Sequence, residues 1–277
     1  MRSLAKSILS KTSGFIAEAG FTHSLTPARN CTFGCTYCYV PTLGIYGGLK
    51  PEDWQRWGQF TTFKSNAAEL LRGELRAGQS IYCSPLVDPY QPEEAEELMM
   101  PRILDALMEA PPRVFAMQTR GPLILRDLDR LRALSKKTTL RVSFSITTNR
   151  EDIRRLYEPH CATFEERIAV VGALRDAGIE TYATLAPLLP CDPAVLARAA
   201  IDATNRDLIG DPLHIRATKR HGATTREAAF KISATHHHDD WLDATSQARM
   251  VEQIDRVARE AGFTFTTGAR GFARLAL

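Results

Sequence analysis

Two rhythms of apolar and polar positions interleave along most of this chain: short runs of strand length, and longer stretches with helical spacing. Strand-like runs fall at 21–26, 80–84, 113–119, 139–147, 181–189 and 212–218. Helical stretches lie between them at 65–76, 92–109, 123–136, 150–157 joined to 164–177, and 193–207. In the first of these, Leu70, Leu71 and Leu75 make the apolar stripe, and Ser65 or Asn66 is the expected N-cap. Glycine or proline punctuates each approach to a strand, at Gly78, Pro111-Pro112, Gly178, Gly210 and Pro212. Six β-then-α units predict a parallel sheet with right-handed crossovers. The pattern itself suits a partial barrel and an open α/β sheet equally. Residues 1–20 read as a short helix or ordered arm, and 40–57 as a surface loop. After 217 the rhythm gives way to a basic, polar segment, a helix over 239–262 and a last strand at 263–266. No repeat beyond the alternation and no low-complexity linker divides the chain. One domain is expected, with a core over about 21–218 and an extension over 219–277.

Bulk composition narrows the class. The 277 residues are 44% hydrophobic and 24% charged, as in ordinary globular proteins. The net charge of +3 is too small to imply a nucleic-acid partner by itself. No apolar run reaches membrane-spanning length, and the start lacks the apolar core of a secretory signal. Six cysteines, three of them clustered, fit a reducing cytosol better than a disulfide framework, so a cytoplasmic location is expected.

The clustered cysteines are the most informative chemistry. Cys31, Cys35 and Cys38 stand at C-x3-C-x2-C spacing, close enough to converge on one metal centre. Three thiolates suit a [4Fe–4S] cluster with one iron left open. A structural zinc site wants four closed ligands, for which His23 is the alternative fourth. Cys161 and Cys191 have no cysteine neighbours in sequence and read as incidental. Glu158 reads as an ion-pair partner for Arg167 or Arg155. His236-His237-His238 with Asp239-Asp240 reads as an exposed cap at a helix start. Arg216, Lys219, Arg220, His221, Arg226 and Lys231 make a basic stretch that suits either a phosphate-binding face or a solvated loop. Functional groups of parallel α/β folds gather where strands end. That rule selects the cysteine loop, Cys83-Ser84, Asp88, Arg120, Ser145 and Ala186-Pro187.

With Tyr37 directly before the last cysteine, the motif resembles the radical S-adenosylmethionine superfamily. The ordered set Tyr37-Cys38-Tyr39, Cys83-Ser84, Asp88, Thr119-Arg120, Phe144-Ser145-Ile146, Glu158-Pro159, Arg167-Ile168 and Ala186-Pro187 is similar to the spore photoproduct lyase family within it. The resemblance covers about residues 21–190. It implies a partial (β/α)6 TIM-type barrel with the cluster at its mouth, and reductive cleavage of S-adenosylmethionine to a 5′-deoxyadenosyl radical. It implies Ser84 or Asp88 at the methionine amino group, Arg120 at its carboxylate, and Ser145 at ribose or carboxylate. It also implies Cys83 as hydrogen-atom donor with Tyr37 and Tyr39 in the relay; the plainer reading makes Cys83 a small buried strand residue. A reductant such as flavodoxin or ferredoxin is the implied partner, and the chain is expected to act as a monomer. The sequence departs from the family in a longer loop after the second strand, an arginine at 120 for the usual lysine, and an end beyond 217 unlike the DNA-binding end of the lyase. Nucleic acid is therefore one substrate class, and a small molecule or peptide the other. A non-catalytic iron–sulfur or zinc module is the reading from outside enzymology.

Overall fold

The computed structural model describes residues 1–43, 56–220 and 222–277. Most of the loop expected at 40–57, and His221 of the basic stretch, lie outside the described residues. The strands are β1 (Arg2–Ser3), β2 (Leu9–Lys11), β3 (His23–Leu25), β4 (Ala28–Arg29), β5 (Thr62–Lys64), β6 (Ser80–Cys83), β7 (Val114–Thr119), β8 (Thr139–Ser145), β9 (Glu180–Leu185), β10 (Leu208–Gly210) and β11 (Phe265–Thr267). The main sheet runs β2-β3-β6-β7-β8-β9-β10-β11 and is parallel throughout except for the β2 edge. Each parallel strand is laid beside its predecessor, the order that successive right-handed crossovers produce. The result is the parallel α/β sheet that the alternation predicts, in the partial TIM-type form that the resemblance implies. A small second sheet, β1-β5-β4, stands beside it.

The helices are α1 (Gly14–Glu18), α2 (Ala67–Glu74), α3 (Glu94–Glu97), α4 (Met99–Glu109), α5 (Leu128–Ser135), α6 (Glu151–Tyr157), α7 (Phe164–Asp176), α8 (Pro193–Thr204), α9 (Glu227–Thr235), α10 (Ala244–Glu260) and α11 (Gly268–Phe272). Local chemistry fixes several starts. Thr163 and Glu166 form a reciprocal capping box on α7, and Asp192 caps α8 ahead of Pro193. The stretch 92–109 splits at Leu98, whose φ is +52°, and the Glu94 carboxylate caps the second piece by accepting from the Met99 and Met100 amides at 3.1 and 2.7 Å.

Four expectations change. Residues 1–20 hold two short strands as well as α1. Asn66 sits at the N-cap of α2 without capping it; its side chain instead accepts from Ala5 N and donates to Ala5 O, both at 2.9 Å, which pins the arm. The sixth strand is β10, and 212–218 is not a strand. Gly210 lies inside β10 because a Cβ there would come within 2.5 Å of the Phe265 ring, so what reads as punctuation is a close approach between strands. Lastly, α10 begins at Ala244 with Asp243 as its cap, accepting from Ser246 N at 2.9 Å. The histidine tract forms the preceding turn, where His238 Nδ1 and the Tyr157 hydroxyl share a 3.2 Å hydrogen bond.

Side-chain alternation sorts the core into two layers. Ile81 and Cys83 face outward to the helices, with Leu71, Leu104, Val171 and Leu196. Tyr82 faces inward with Phe21, Ala116, Tyr182 and Ile209, and Phe272 and Leu275 fill this inner face from the C-terminal segment. Phe15 of α1 meets Phe272 edge-on at 5.2 Å. The C-terminal ends of the strands are left open. Among the described residues, no helix is long and apolar enough to cross a membrane.

Candidate active site

A cleft of about 780 Å³ opens over those strand ends. Thr26 follows β3, Ser84 follows β6, Arg120 follows β7, Ser145 ends β8, Pro187 follows β9 and Asp211 follows β10; all line it. So do Cys31, Cys35 and Cys38, with Tyr37 and Tyr39 between and beside them. The cysteine loop is shaped by its neighbours. Asn30 takes φ +65° and its side chain accepts from Cys31 N at 2.8 Å. Gly34 and Gly58 touch backbone to backbone, since a Cβ on Gly58 would lie 2.7 Å from Gly34 Cα. Thr36 N donates to Tyr157 O at 2.9 Å, and Arg226 Nη1 donates to Cys35 O at 3.0 Å, so α6 and the C-terminal extension both grip the loop. All six cysteines are free. His23 bonds Thr22 and does not line the cleft with the three thiols.

Behind the thiols lies a buried charge network. Arg120 Nη1 reaches Cys35 Sγ at 3.4 Å and the Tyr37 hydroxyl at 2.7 Å, and donates to Glu158. Glu158 also accepts from Tyr37, from Thr147 Oγ1 at 2.9 Å, and from Arg167. Burial alone would raise the Glu158 carboxyl; Arg167 and Arg120, helped by Tyr37, outweigh it and hold it at about 2. The expected Glu158–Arg167 pair is present, while Arg155 pairs with Glu151. Cys161, which reads as incidental in sequence, stands against Cys35: the ligating atoms of Cys35, Glu158 and Cys161 all lie within 4.8 Å of one another. Its thiol draws Cys35 down to about 7, whereas burial pushes Cys38 up to about 12. Sequence distance hides this neighbour; the turn after α6 creates it.

Asp88 works as a brace. Its carboxylate accepts from Thr119 Oγ1 at 2.6 Å, Tyr90 N at 2.9 Å and Arg120 N at 2.8 Å, tying the loop after β6 to the end of β7. The Ser84 hydroxyl is buried and has no hydrogen-bond partner. Ser145 Oγ accepts from Gln118 at 3.3 Å, and Gln118 accepts in turn from Tyr82. Cys83 does not join them. It is fully buried on the outward face of β6, while Tyr82 and Ser84, one residue either side, line the cleft. The period-two pleat therefore places Cys83 on the face of β6 opposite the cleft-lining Tyr82. The basic stretch divides: Lys219 lines the cleft paired with Asp211, Arg226 holds the cysteine loop, Lys231 pairs with Glu227, and Arg216 and Arg220 are exposed.

Residues 25–191, which contain this cysteine loop and five of the strand ends, match the Radical SAM superfamily. The chain belongs to that superfamily. Members of the radical SAM superfamily use a [4Fe–4S] cluster and S-adenosylmethionine. An uncharacterised protein of Mycobacterium tuberculosis is 28% identical over 229 residues, 78% of this chain and 66% of the relative. The chain thus spans just under two thirds of that relative's length. An uncharacterised Methanocaldococcus jannaschii protein is 26% identical over 160 residues, 58% of each. Among solved structures, a spore photoproduct lyase variant matches with a TM-score of 0.61 and 14% identity over 96% of this chain and 80% of that one. Another lyase variant, with bound S-adenosylmethionine and dinucleoside spore photoproduct, matches at 0.54 and 15% over 85% and 66%. Streptococcus suis SuiB bound to S-adenosylmethionine matches at 0.51 and 12% over 88% and 46%. At these identities the likeness is one of fold. The residues present also fit the radical SAM cofactors: three soft thiol donors open into one cleft, and the buried Ser84 hydroxyl there lacks a partner.

Proposed function

We propose that this chain is an enzyme that holds a [4Fe–4S] cluster on Cys31, Cys35 and Cys38 and S-adenosylmethionine beside it, and abstracts hydrogen from a substrate at the cleft mouth. The observation that carries this is the opening of all three thiols into the cleft that also gathers the polar strand ends. When bound, the cluster and S-adenosylmethionine supply an electron and a 5′-deoxyadenosyl radical. The protein supplies position. Ser84 offers its unpartnered hydroxyl to the methionine amino group. Arg120 faces the methionine carboxylate, with one nitrogen fixed by Glu158 so that the guanidinium is already oriented. Ser145, steadied by Gln118, meets ribose or carboxylate. Asp88 acts through Arg120 and Thr119, because its oxygens are already bonded to them. Tyr37 is locked into the charge network and Tyr39 stands half-buried in the cleft lining, where a phenolic relay would have to run. A lyase-type reaction on a nucleic-acid-derived substrate is the reading we favour, supported by the lyase-like fold and by the cations that line the mouth. A flavodoxin or ferredoxin as electron donor, a monomeric state and a cytoplasmic location complete it.

The test is anaerobic reconstitution. The parent should take up one four-iron cluster, and Cys31→Ala, Cys35→Ala and Cys38→Ala should each abolish it. Stoichiometric zinc with no charge-transfer absorbance would sink the assignment. Arg120→Ala should keep the cluster and bind S-adenosylmethionine roughly tenfold more weakly, since it leaves the carboxylate without its charged donor. Unchanged affinity would remove Arg120 from the cofactor site.

A further inference from the structure

The cations lining the cleft are not equally engaged. Lys219 pairs with Asp211 and Arg120 with Glu158, but Arg29 and Lys64 have no acidic partner among the described residues. Their placement is built into the small sheet. β4 pairs antiparallel with β5, Arg29 opposite Thr62 and Ala28 opposite Phe63. Ala28 and Phe63 are buried on one face, which puts Arg29, Thr62 and Lys64 together on the other. Arg29 and Lys64 are thus a diagonal cross-strand pair, about 7–8 Å apart by sheet geometry, and like charges so placed repel. Burial and Arg29 both lower the Lys64 ammonium below its ordinary value, and Glu74 offsets them only in part. The Glu74 carboxylate is already bonded to the amides of Ile8 and Leu9 and to Ser7. Asp88, the other acid nearest in role, is saturated by Thr119, Tyr90 and Arg120.

Two cations held on one face, the arginine exposed and the lysine half-withdrawn from water with only the already bonded Glu74 in partial offset, repel each other and favour an anion between them. The geometry points to a phosphate subsite formed by Arg29 and Lys64 at the rim of the cleft, which docks a phosphate group of the substrate beside the cysteine loop. An arginine fork with a neighbouring ammonium suits a tetrahedral oxyanion, the fork bonding two oxygens and the ammonium a third. Cys31 follows Arg29 by two residues, so a substrate anchored there is held next to the reacting centre. This inference deepens the function proposed above and rests on it for the docked phosphate being part of a substrate. Its binding test, however, requires no turnover.

The probes are a fluorescent 5′-mononucleotide and a fluorescent single-stranded hexanucleotide, titrated into the reconstituted full chain, with S-adenosylmethionine affinity and cluster content measured alongside. Lys64→Gln and Arg29→Gln should each weaken binding about tenfold, and Lys64→Arg should restore most of it. The salt dependence of hexanucleotide binding should flatten by about 0.7 in log–log slope for each phosphate that is no longer neutralised, which a merely structural defect would not produce. Lys231→Ala, outside the cleft, should change nothing. Dependence confined to the mononucleotide, or shared by the hexanucleotide, identifies a free nucleotide or a polynucleotide as the phosphate source, and either supports the subsite. The proposal is overturned if the double variant Arg29→Gln/Lys64→Gln, shown folded by its thermal transition, binds both probes like the parent. It is also overturned if a polyglutamate of equal charge competes as well as the hexanucleotide, or if S-adenosylmethionine affinity falls in parallel. Loss of cluster in the parent would instead be a failure of the function proposed above.

Discussion

Glu158 gathers two guanidinium groups, a phenol and a threonine hydroxyl on one buried carboxylate, and so links the wall behind the cysteine loop to α7. Glu158→Gln should destabilise the fold by roughly 3–5 kcal/mol, because Arg167 and Arg120 would stay buried without a counter-charge. The pH dependence has a definite sign. The carboxyl is held at about 2 against an ordinary 4.5, so its contribution is complete above that ordinary value and is lost as pH falls toward 2. Acid unfolding followed by circular dichroism should therefore show a steep limb below about pH 4.5 in the parent and a shallower one in Glu158→Gln. Equal limbs would show that the network contributes no net stability. Cys83 gives a second residue-scale prediction. Facing the helices, it should serve packing alone, and Cys83→Ala should cost on the order of 1 kcal/mol. In deuterated buffer, deuterium incorporation into 5′-deoxyadenosine should be the same in parent and variant. A large loss in Cys83→Ala would mean that the strand turns its other face to the substrate.

At the scale of elements, the site depends on how closely the loop after β6 approaches the end of β7. Gly121 makes that approach available: a Cβ there would lie 2.2 Å from Tyr90 O, and backbone cannot give way as a side-chain tip can. Gly121→Ala should push Tyr90 away, break the Asp88 brace on Arg120, and lower both the melting temperature and S-adenosylmethionine affinity. Gly73 in α2 is the control, with nothing within 4 Å of its added Cβ. Gly73→Ala should raise stability by about 0.5–1 kcal/mol. A neutral Gly121→Ala would show that the loop is not held as tightly as the Asp88 bonds imply. Elements also differ in how legible they are in the sequence. β7, buried along nearly all its length, announces itself as an apolar run, β8 as a strict polar–apolar alternation, and the cysteine loop is local enough to be read directly. β10 is hidden because its last residue is a glycine required by closeness to Phe265, which in sequence resembles a breaker. Cys161 beside Cys35 and Arg29 beside Lys64 are hidden because a turn after α6 and sheet register bring them together. The near-neutral net charge, likewise, says nothing of where cations collect.

Over the whole molecule, the segment after 218 is an integral part of the structure. It supplies β11 beside β10, Phe272 and Leu275 for the inner core, and the Arg226 grip on Cys35. Trp241 Nε1 donates to Leu188 O at 2.8 Å, and the Gln247 side chain accepts from Leu213 N at 2.9 Å while donating to Trp241 O at 2.8 Å. Without these, the inner faces of Phe21, Tyr82 and Ile209 would meet water and β10 would become a bare edge. The full chain should therefore melt in one cooperative transition that reports on core and extension together. Leu275→Ala, at the inner core, should cost about 2–5 kcal/mol and lower the midpoint by several degrees without separating the transition into two. A chain ending at 218 should fail to show cooperative melting and should not retain a reconstituted cluster. Cooperative unfolding of that shortened chain, with its cluster content intact, would make 219–277 an independent addition and remove Arg226 from the support of the cysteine loop.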